Sequence, residues 1–105
     1  MTVLRERIGE VLRSQRIRQG RTLREVSADA QVSLGYISEV ERGQKEASSE
    51  LLAAICSALE VPLSAVLREV SDRLVVDEHE AARAVGATIT RVNPLTRIDD
   101  VVAAA

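Results

Sequence analysis

The sequence predicts an all-α fold: a compact bundle of five short helices over residues 4–70, with a C-terminal extension over residues 71–105. Apolar residues recur every three or four positions along the first 70 residues, which is the period of an amphipathic helix, and no long stretch alternates with the period of a strand. Capping and stop residues divide this stretch into helix-sized segments. Isolated helices of this length are marginal in water, so packing between them must stabilise the fold.

The first two helices are delimited by Gly20 and Thr22. Gly20 is a natural stop for the first helix, and Thr22 with Glu25 forms the pattern of a capping box that opens a second helix of about eight residues. The apolar positions of the first helix are Leu4, Ile8, Val11 and Leu12. Those of the second are Leu23, Val26 and Ala30.

Three further helices follow a short break at residues 30–32. Ser33 can cap the third helix and Gly43 ends it, while Ser48 or Ser49 caps the fourth. Pro62 suits the first turn of the fifth helix, where a missing N–H does no harm. The inward positions of the last two helices are Leu51, Leu52, Ile55, Ala58, Leu59, Leu63, Val66, Leu67 and Val70.

Beyond residue 70 the pattern is weaker. Asp77 is predicted to cap a further short helix that runs through Val85 and stops at Gly86. Residues 87–105 contain the turn signal Asn93-Pro94 and no clear period.

Length and composition indicate one globular domain. The 105 residues are 46% apolar and 29% charged, which is typical of a folded chain. No apolar run approaches the ~20 residues of a membrane span, and no signal peptide is visible, so no membrane association is predicted. Cys56 is the only cysteine and stands in an apolar stretch, and we interpret it as a buried free thiol of a cytoplasmic protein.

Charge is unevenly distributed along the chain. Residues 1–45 hold nine basic and six acidic side chains, a net charge of +3, whereas residues 46–105 hold five basic and ten acidic ones, a net charge of −5. A basic front suits binding to a polyanion. The alternative is an ordinary mixed surface, because a net charge of +3 is modest.

Enzymatic chemistry has little support. His79 stands among Asp77, Glu78 and Glu80, a set that could suggest a metal, but a single histidine on a charged helix face is more often solvated. The sequence has no second histidine, no cysteine pair, no phosphate-binding glycine loop and no nucleophile elbow. We therefore predict a protein that is not an enzyme and has no metal or cofactor.

The second and third helices are predicted to form a helix-turn-helix unit, because they are short and are joined by a three-residue turn. If Ile37 and Val40 face the core, the outer face of the third helix carries Gly35, Ser38, Glu39 and Arg42, with Leu34 and Tyr36 at its edges. Such side chains can read DNA. Leu34 suits a thymine methyl, Ser38 several bases, Glu39 a cytosine amino group and Arg42 guanine or phosphate.

Gly35 is the unusual residue of this helix, because glycine costs about 1 kcal/mol relative to alanine in a helix interior. Without a side chain near the helix N-terminus, the backbone can approach DNA closely. The alternative is a tolerated surface glycine. Tyr36, the only aromatic residue, can bond a phosphate while its ring packs on the domain edge.

Residues 12–67 resemble the Cro/C1-type (XRE) helix-turn-helix family of bacterial transcription regulators. The resemblance rests on the following residues: Leu12-Arg13, Arg16, Thr22–Ser27, Val32-Ser33, Tyr36–Ser38, Glu41–Gly43, Ser48, Ile55, Ala58–Val61 and Leu63–Leu67. It implies a lambda-repressor-like five-helix bundle whose third helix, residues 33–42, enters the major groove of double-stranded DNA.

The same resemblance implies roles for individual residues. Leu34, Gly35 and Glu39 are expected to contact bases, and Arg16 and Glu41 to form a structural ion pair inside the bundle. The residues expected near bases or backbone are Ser33, Tyr36, Ser38, Arg42 and Lys45.

Three positions depart from the family pattern. Gln31 replaces the usual turn glycine, which costs about 1 kcal/mol if the residue is left-handed, and Ser27 replaces a usual alanine where the two helices touch. Leu23 replaces a glutamine that contacts phosphate in many members, so we expect it in the core. Thr22, Arg21 or Arg24 can substitute for that contact.

More narrowly, residues 18–67 resemble actinobacterial regulators of Clp protease genes. This implies a transcriptional activator of such genes, with RNA polymerase as a further partner.

A single small domain binds too little DNA for tight binding, so we expect a homodimer on a pseudo-palindromic operator. The candidate dimer contacts are Val66, Val70, Leu74, Val75 and Val85, and completing the monomer core is their alternative role.

The C-terminus ends in Ala104-Ala105, which is similar to the Ala-Ala end of the tag that Clp-type proteases recognise. The protein could thus be a substrate of Clp protease, or the tail could simply be frayed.

The competing functional class is an antitoxin-like or adaptor module that uses its acidic half to bind another protein. Steep salt dependence would distinguish DNA binding from that role.

Overall fold

The computed structural model describes residues 3–84, which form five α-helices. These are α1 (Leu4–Arg18), α2 (Leu23–Ala30), α3 (Leu34–Glu41), α4 (Ser49–Ala58) and α5 (Leu63–Ala84). The chain divides into two compact units, the first spanning Thr2–Leu74 and the second beginning at Val75. The first unit contains α1 to α4 and the start of α5, so it extends four residues beyond the predicted end of the bundle.

Helix starts follow from local hydrogen bonds. The Thr22 hydroxyl accepts from the Glu25 amide at 3.1 Å and the Glu25 carboxylate accepts from the Thr22 amide at 2.7 Å, which confirms the capping box. The Ser33 hydroxyl likewise accepts from the Tyr36 amide at 3.1 Å. At α4 the cap is Ser48, whose hydroxyl accepts from the Leu51 amide at 3.2 Å.

The core of the first unit is aliphatic. α2 packs against both α3 and α4, and α1 packs against α3. Full burial of one such side chain contributes about 1.5–3 kcal/mol. Cys56 is 2% exposed, so its predicted burial is confirmed. The largest fully buried side chains are Val11, Leu12, Val26, Ile37, Val40, Ile55, Leu59 and Val66.

Helix α5 is longer than predicted. It runs without a break through Asp77, so the separate short helix predicted to begin there is wrong. No glycine or proline occurs between Leu63 and Ala84, and nothing in that stretch interrupts the helix.

Two of the predicted dimer residues belong to the core instead. Val66 is 0% and Val70 2% exposed, and both pack in the core cluster of a single chain. They are therefore inaccessible to a second chain, and that part of the prediction is wrong. Leu74 is half-buried against the core, Val75 is 38% exposed, and Val85 lies outside the described residues.

Within residues 3–84 no single helix has both the length and the apolarity of a membrane span. The pair α4 and α5 meets the length and composition criteria only when taken together, and the two helices are bent by 104°. Predictions made for residues 87–105, including the terminal alanines, lie outside the described part of the chain.

Candidate nucleic-acid interface

Helix α3 presents two distinct faces. Ile37 and Val40 are each 1% exposed and pack in the core. The outward residues form what we call the reading face, namely Leu34, Gly35, Ser38, Glu39 and Arg42. Gly35 and Arg42 on it are exposed, whereas Leu34, Ser38 and Glu39 are half-buried. This is the division that the spacing predicts.

Gly35 is not required by packing among residues 3–84. A Cβ placed there would have no heavy atom within 4 Å, whereas a Cβ at Gly9 would lie 2.3 Å from the Val40 carbonyl oxygen and 2.7 Å from that of Glu41. Gly9 therefore allows α1 to pack directly on the backbone at the end of α3. The absence of a side chain at Gly35, by contrast, only keeps the reading face clear.

The turn between α2 and α3 is set by a left-handed residue. Gln31 has φ 57° and ψ 45°, a conformation that costs a non-glycine residue about 1 kcal/mol. Ser27 closes the turn, because its carbonyl accepts from the Val32 amide at 3.1 Å and its hydroxyl donates to the Val32 carbonyl. The polar group at this helix contact is therefore satisfied.

An ion pair fixes the C-terminal end of α3 to α1. Arg16 donates from Nε to Oε2 of Glu41 at 2.7 Å and from Nη2 to Oε1 at 3.0 Å. The side chains are 14% and 6% exposed, and Arg16 Nη1 also donates to the Arg21 carbonyl at 2.9 Å. Hydrogen bonding to Glu41 raises the pKa of the Arg16 guanidinium. Both residues are structural, as the family resemblance implies.

Arg42 is oriented by neutral acceptors. Its Nη1 donates to the Ser38 hydroxyl at 3.2 Å and its Nη2 to Gln44 Oε1 at 3.5 Å. No carboxylate pairs with it within residues 3–84, so its positive charge remains uncompensated. Sequence reasoning missed Gln44, whose only signal was its position two residues after Arg42.

Of the three candidates for a phosphate contact near α2, Arg21 is unavailable. Its guanidinium donates to the Ala58 carbonyl and to the Asp29 carboxylate, so that alternative is wrong. Thr22 and Arg24 are exposed. Leu23 is half-buried against the core, which confirms its predicted place.

The capping box also affects a charge at the start of α2. Hydrogen bonds from Thr22, first from its backbone and then from its side chain, together with the charge of Arg21, lower the pKa of Glu25. The carboxylate therefore stays ionised at neutral pH and complements the positive end of the helix dipole.

Tyr36 and Lys45 lie at the edge of the interface. The Tyr36 ring packs against the core, and its hydroxyl donates to the Glu46 carbonyl at 2.9 Å. Lys45 is exposed.

Among the described residues no cluster of three or more His, Cys, Asp or Glu side chains could hold a metal, and His79 is exposed.

Comparisons with known proteins agree with this geometry. The model of the helix-turn-helix family matches residues 12–66. A curated relative, the transcriptional regulator ClgR of Mycobacterium tuberculosis (strain H37Rv), is 58% identical over 92 residues, which cover 83% of this chain and 82% of the relative.

Solved structures show the same fold. The clp gene regulator ClgR from Corynebacterium glutamicum superposes with a TM-score of 0.70 at 45% identity, covering 80% of this chain and 92% of that one. The controller protein C.Esp1396I, solved on a 25 base pair operator site, gives a TM-score of 0.66 at 20% identity and covers 71% of this chain and 99% of its own. At that identity the likeness concerns the fold alone.

Proposed function

The chain belongs to the helix-turn-helix family of transcriptional regulators that includes ClgR, and from this membership we propose that it binds DNA sequence-specifically and activates Clp protease genes. The observation that carries the proposal is the reading face. A short helix, fixed to the domain from behind by Ile37, Val40 and the Arg16–Glu41 pair, offers polar groups on its outer side. Such a helix fits the major groove, where base edges are read.

The side chains of the reading face have distinct chemical preferences. The Arg42 guanidinium suits guanine or a phosphate, the Glu39 carboxylate accepts from a cytosine amino group, and Leu34 suits a thymine methyl. Thr22, Arg24, Ser33 and Lys45 are exposed around this face and can hold the phosphates on either side.

Specific binding can be tested by fluorescence anisotropy. The probe is a duplex from upstream of a Clp protease operon, compared with a shuffled duplex of the same composition at about 50 and 200 mM salt, because phosphate contacts make affinity salt-dependent. We expect preference for the operator, and a loss of at least about tenfold in Glu39→Ala/Arg42→Ala, since one base contact contributes about 1–3 kcal/mol.

A matched control is available. Glu50→Ala/Arg68→Ala removes the same two charges from exposed positions on α4 and α5, and it should bind like the wild type. Weak and equal binding of the wild type to both duplexes would contradict the proposal.

The functional form is proposed to be a homodimer on a pseudo-palindromic operator, because two reading helices one DNA turn apart match such a site. With Val66 and Val70 in the core, the exposed apolar residues of α5 are the available contacts, namely Leu67, Val75 and Val76. Sedimentation of Val75→Asp/Val76→Asp should show a monomer. Ala81→Asp, at an exposed position of the same helix, serves as the control.

Two further partners complete the proposal. We propose RNA polymerase as a partner of an activator that acts on the chromosome in the cytoplasm, and Clp protease as a partner that recognises Ala104-Ala105. Replacing both alanines with aspartate should lengthen the lifetime of the protein in cells. An unchanged lifetime would refute the second idea.

A further inference from the structure

The loop between α3 and α4, residues 43–47, is held by hydrogen bonds to two of its own carbonyl groups. Arg5, near the start of α1, donates from Nε to the Gly43 carbonyl at 2.9 Å. The Tyr36 hydroxyl donates to the Glu46 carbonyl, also at 2.9 Å. One bond therefore lies at each end of the loop, and the two donors come from different helices.

The middle of this loop is partly open, since Lys45 and Glu46 are exposed while Ala47 packs against the core. A groove of about 220 Å³ separates its residues 45–47 from the side chains of Leu4 and Ile8 on α1. The loop is tight at Gly43, because a Cβ there would lie 2.9 Å from the Glu6 Cα. Backbone bonds join the Gly43 amide to the Val40 carbonyl at 3.0 Å and the Gln44 amide to the Glu39 carbonyl at 2.9 Å, and the side-chain bonds from Arg5 and Tyr36 fix the loop further.

The groups on this loop suit a phosphate. Lys45 is exposed and makes no ion pair within residues 3–84. Gln44 is also exposed, and its side-chain oxygen accepts from Arg42 of the reading face, which leaves its amide N–H₂ for an outside acceptor. Lysine ammonium and glutamine amide groups are common donors to the DNA backbone.

We infer that Arg5 and Tyr36 are positioning residues, which hold the α3–α4 loop so that Lys45 and Gln44 meet the DNA phosphates beside the reading face. The inference rests on the proposed DNA-binding function. A loop ordered before binding loses less conformational entropy on the DNA, and this raises affinity. Arg5 has this role without touching DNA itself.

Tyr36 could instead contact a phosphate directly, and the structure argues against that role. A phosphate accepts hydrogen bonds, and the single hydroxyl proton of Tyr36 is already donated to Glu46. Direct contact would break that bond and release the loop. The two roles predict different coupling between Tyr36 and Lys45.

The test is a double-mutant cycle in the anisotropy assay with the Clp operon duplex. Tyr36→Phe keeps the ring and should weaken binding about three- to tenfold, the range expected for one hydrogen bond. Lys45→Ala should reduce the salt slope by about 1. In a Gln44→Ala/Lys45→Ala background, which lacks both loop donors, Tyr36→Phe should have little further effect. Additive losses would show that Tyr36 contacts DNA itself and would overturn the inference.

Arg5→Ala is compared with Arg13→Ala, which removes the same charge from an exposed position on α1 that makes no bond within the described residues. We expect a three- to tenfold loss, as for one hydrogen bond, with Arg5→Ala and less than about twofold with Arg13→Ala. Equal losses would mean that Arg5 contributes only charge and would overturn its positioning role.

A measurement without DNA separates this inference from the proposed function. Amide ¹⁵N relaxation of residues 44–46 should show increased motion in Arg5→Ala and Tyr36→Phe, and none in Arg13→Ala. Unchanged relaxation overturns the inference even if the wild type binds its operator. A wild-type chain that shows no DNA preference overturns the proposed function and, with it, the phosphate-binding role of the loop, whatever the relaxation shows.

Discussion

Replacing Gly35 with alanine should stabilise the protein and weaken its binding to DNA. A Cβ at this position meets nothing within 4 Å, and the residue is not among those with a positive φ. Alanine is favoured over glycine inside a helix by about 0.5–1 kcal/mol, and near the N-terminus of α3 we expect the lower value. A gain of 0.5 kcal/mol raises the melting temperature by about 2–4 °C in a domain of this size.

The same methyl group lies on the reading face, and under the proposed function it would fill space at the contact with the bases. Inserting an extra methylene-sized group into a well-packed contact costs about 1–3 kcal/mol, which corresponds to at least about fivefold weaker binding. Urea unfolding measures the first effect and anisotropy on the operator duplex the second.

Gly9→Ala is the matched control, since it makes the same chemical change in another helix. There the new Cβ would lie 2.3 Å from the Val40 carbonyl oxygen, so we expect a loss of stability of about 1–3 kcal/mol from overpacking. If Gly35→Ala lowered stability, or bound the operator as tightly as the wild type, the reasoning about an open reading face would be refuted.

Three other predictions concern the elements that support this face. Arg16→Ala leaves Glu41 buried without its partner and should cost about 3 kcal/mol in urea unfolding, whereas Arg16→Ala/Glu41→Ala should cost less than that. Gln31→Gly should raise stability by up to about 1 kcal/mol because the residue is left-handed, and an unchanged unfolding midpoint would contradict this. The lowered pKa of Glu25 contributes stability above the unfolded pKa of about 4.3, which is lost as the pH falls through the folded value. Glu25→Gln should therefore make the free energy of unfolding less dependent on pH on the acid side. A pH dependence parallel to that of the wild type would show that ionisation of Glu25 is not coupled to folding.

The elements that sequence reasoning located well are those determined by neighbouring residues. The caps at Thr22 and Ser33 were predictable because the donor and acceptor lie three residues apart in the chain. The faces of α3 followed from a simple rotation per residue. For α5 the same logic was misleading, since Asp77 has the form of a cap but no helix-breaking residue precedes it.

Contacts between distant residues were beyond the reach of pattern reading. Arg21 looks like a free surface cation in the sequence, but its guanidinium reaches the end of α4. Glu60 is left-handed with φ 56°, and no glycine marks that position. The side-chain hydrogen bonds from Arg5 and Tyr36 to the α3–α4 loop join residues 38 and 10 positions apart, and no periodicity encodes them.

The chain contains one tyrosine and neither tryptophan nor phenylalanine. All of its aromatic absorption and emission therefore originates from Tyr36, whose ring lies in α3 and whose hydroxyl is bonded to the loop carbonyl of Glu46. In most proteins such spectra average over many rings in unrelated places. Here the near-ultraviolet circular dichroism of the unlabelled protein reports on a single ring in α3, beside the reading face, without a background from other aromatic rings.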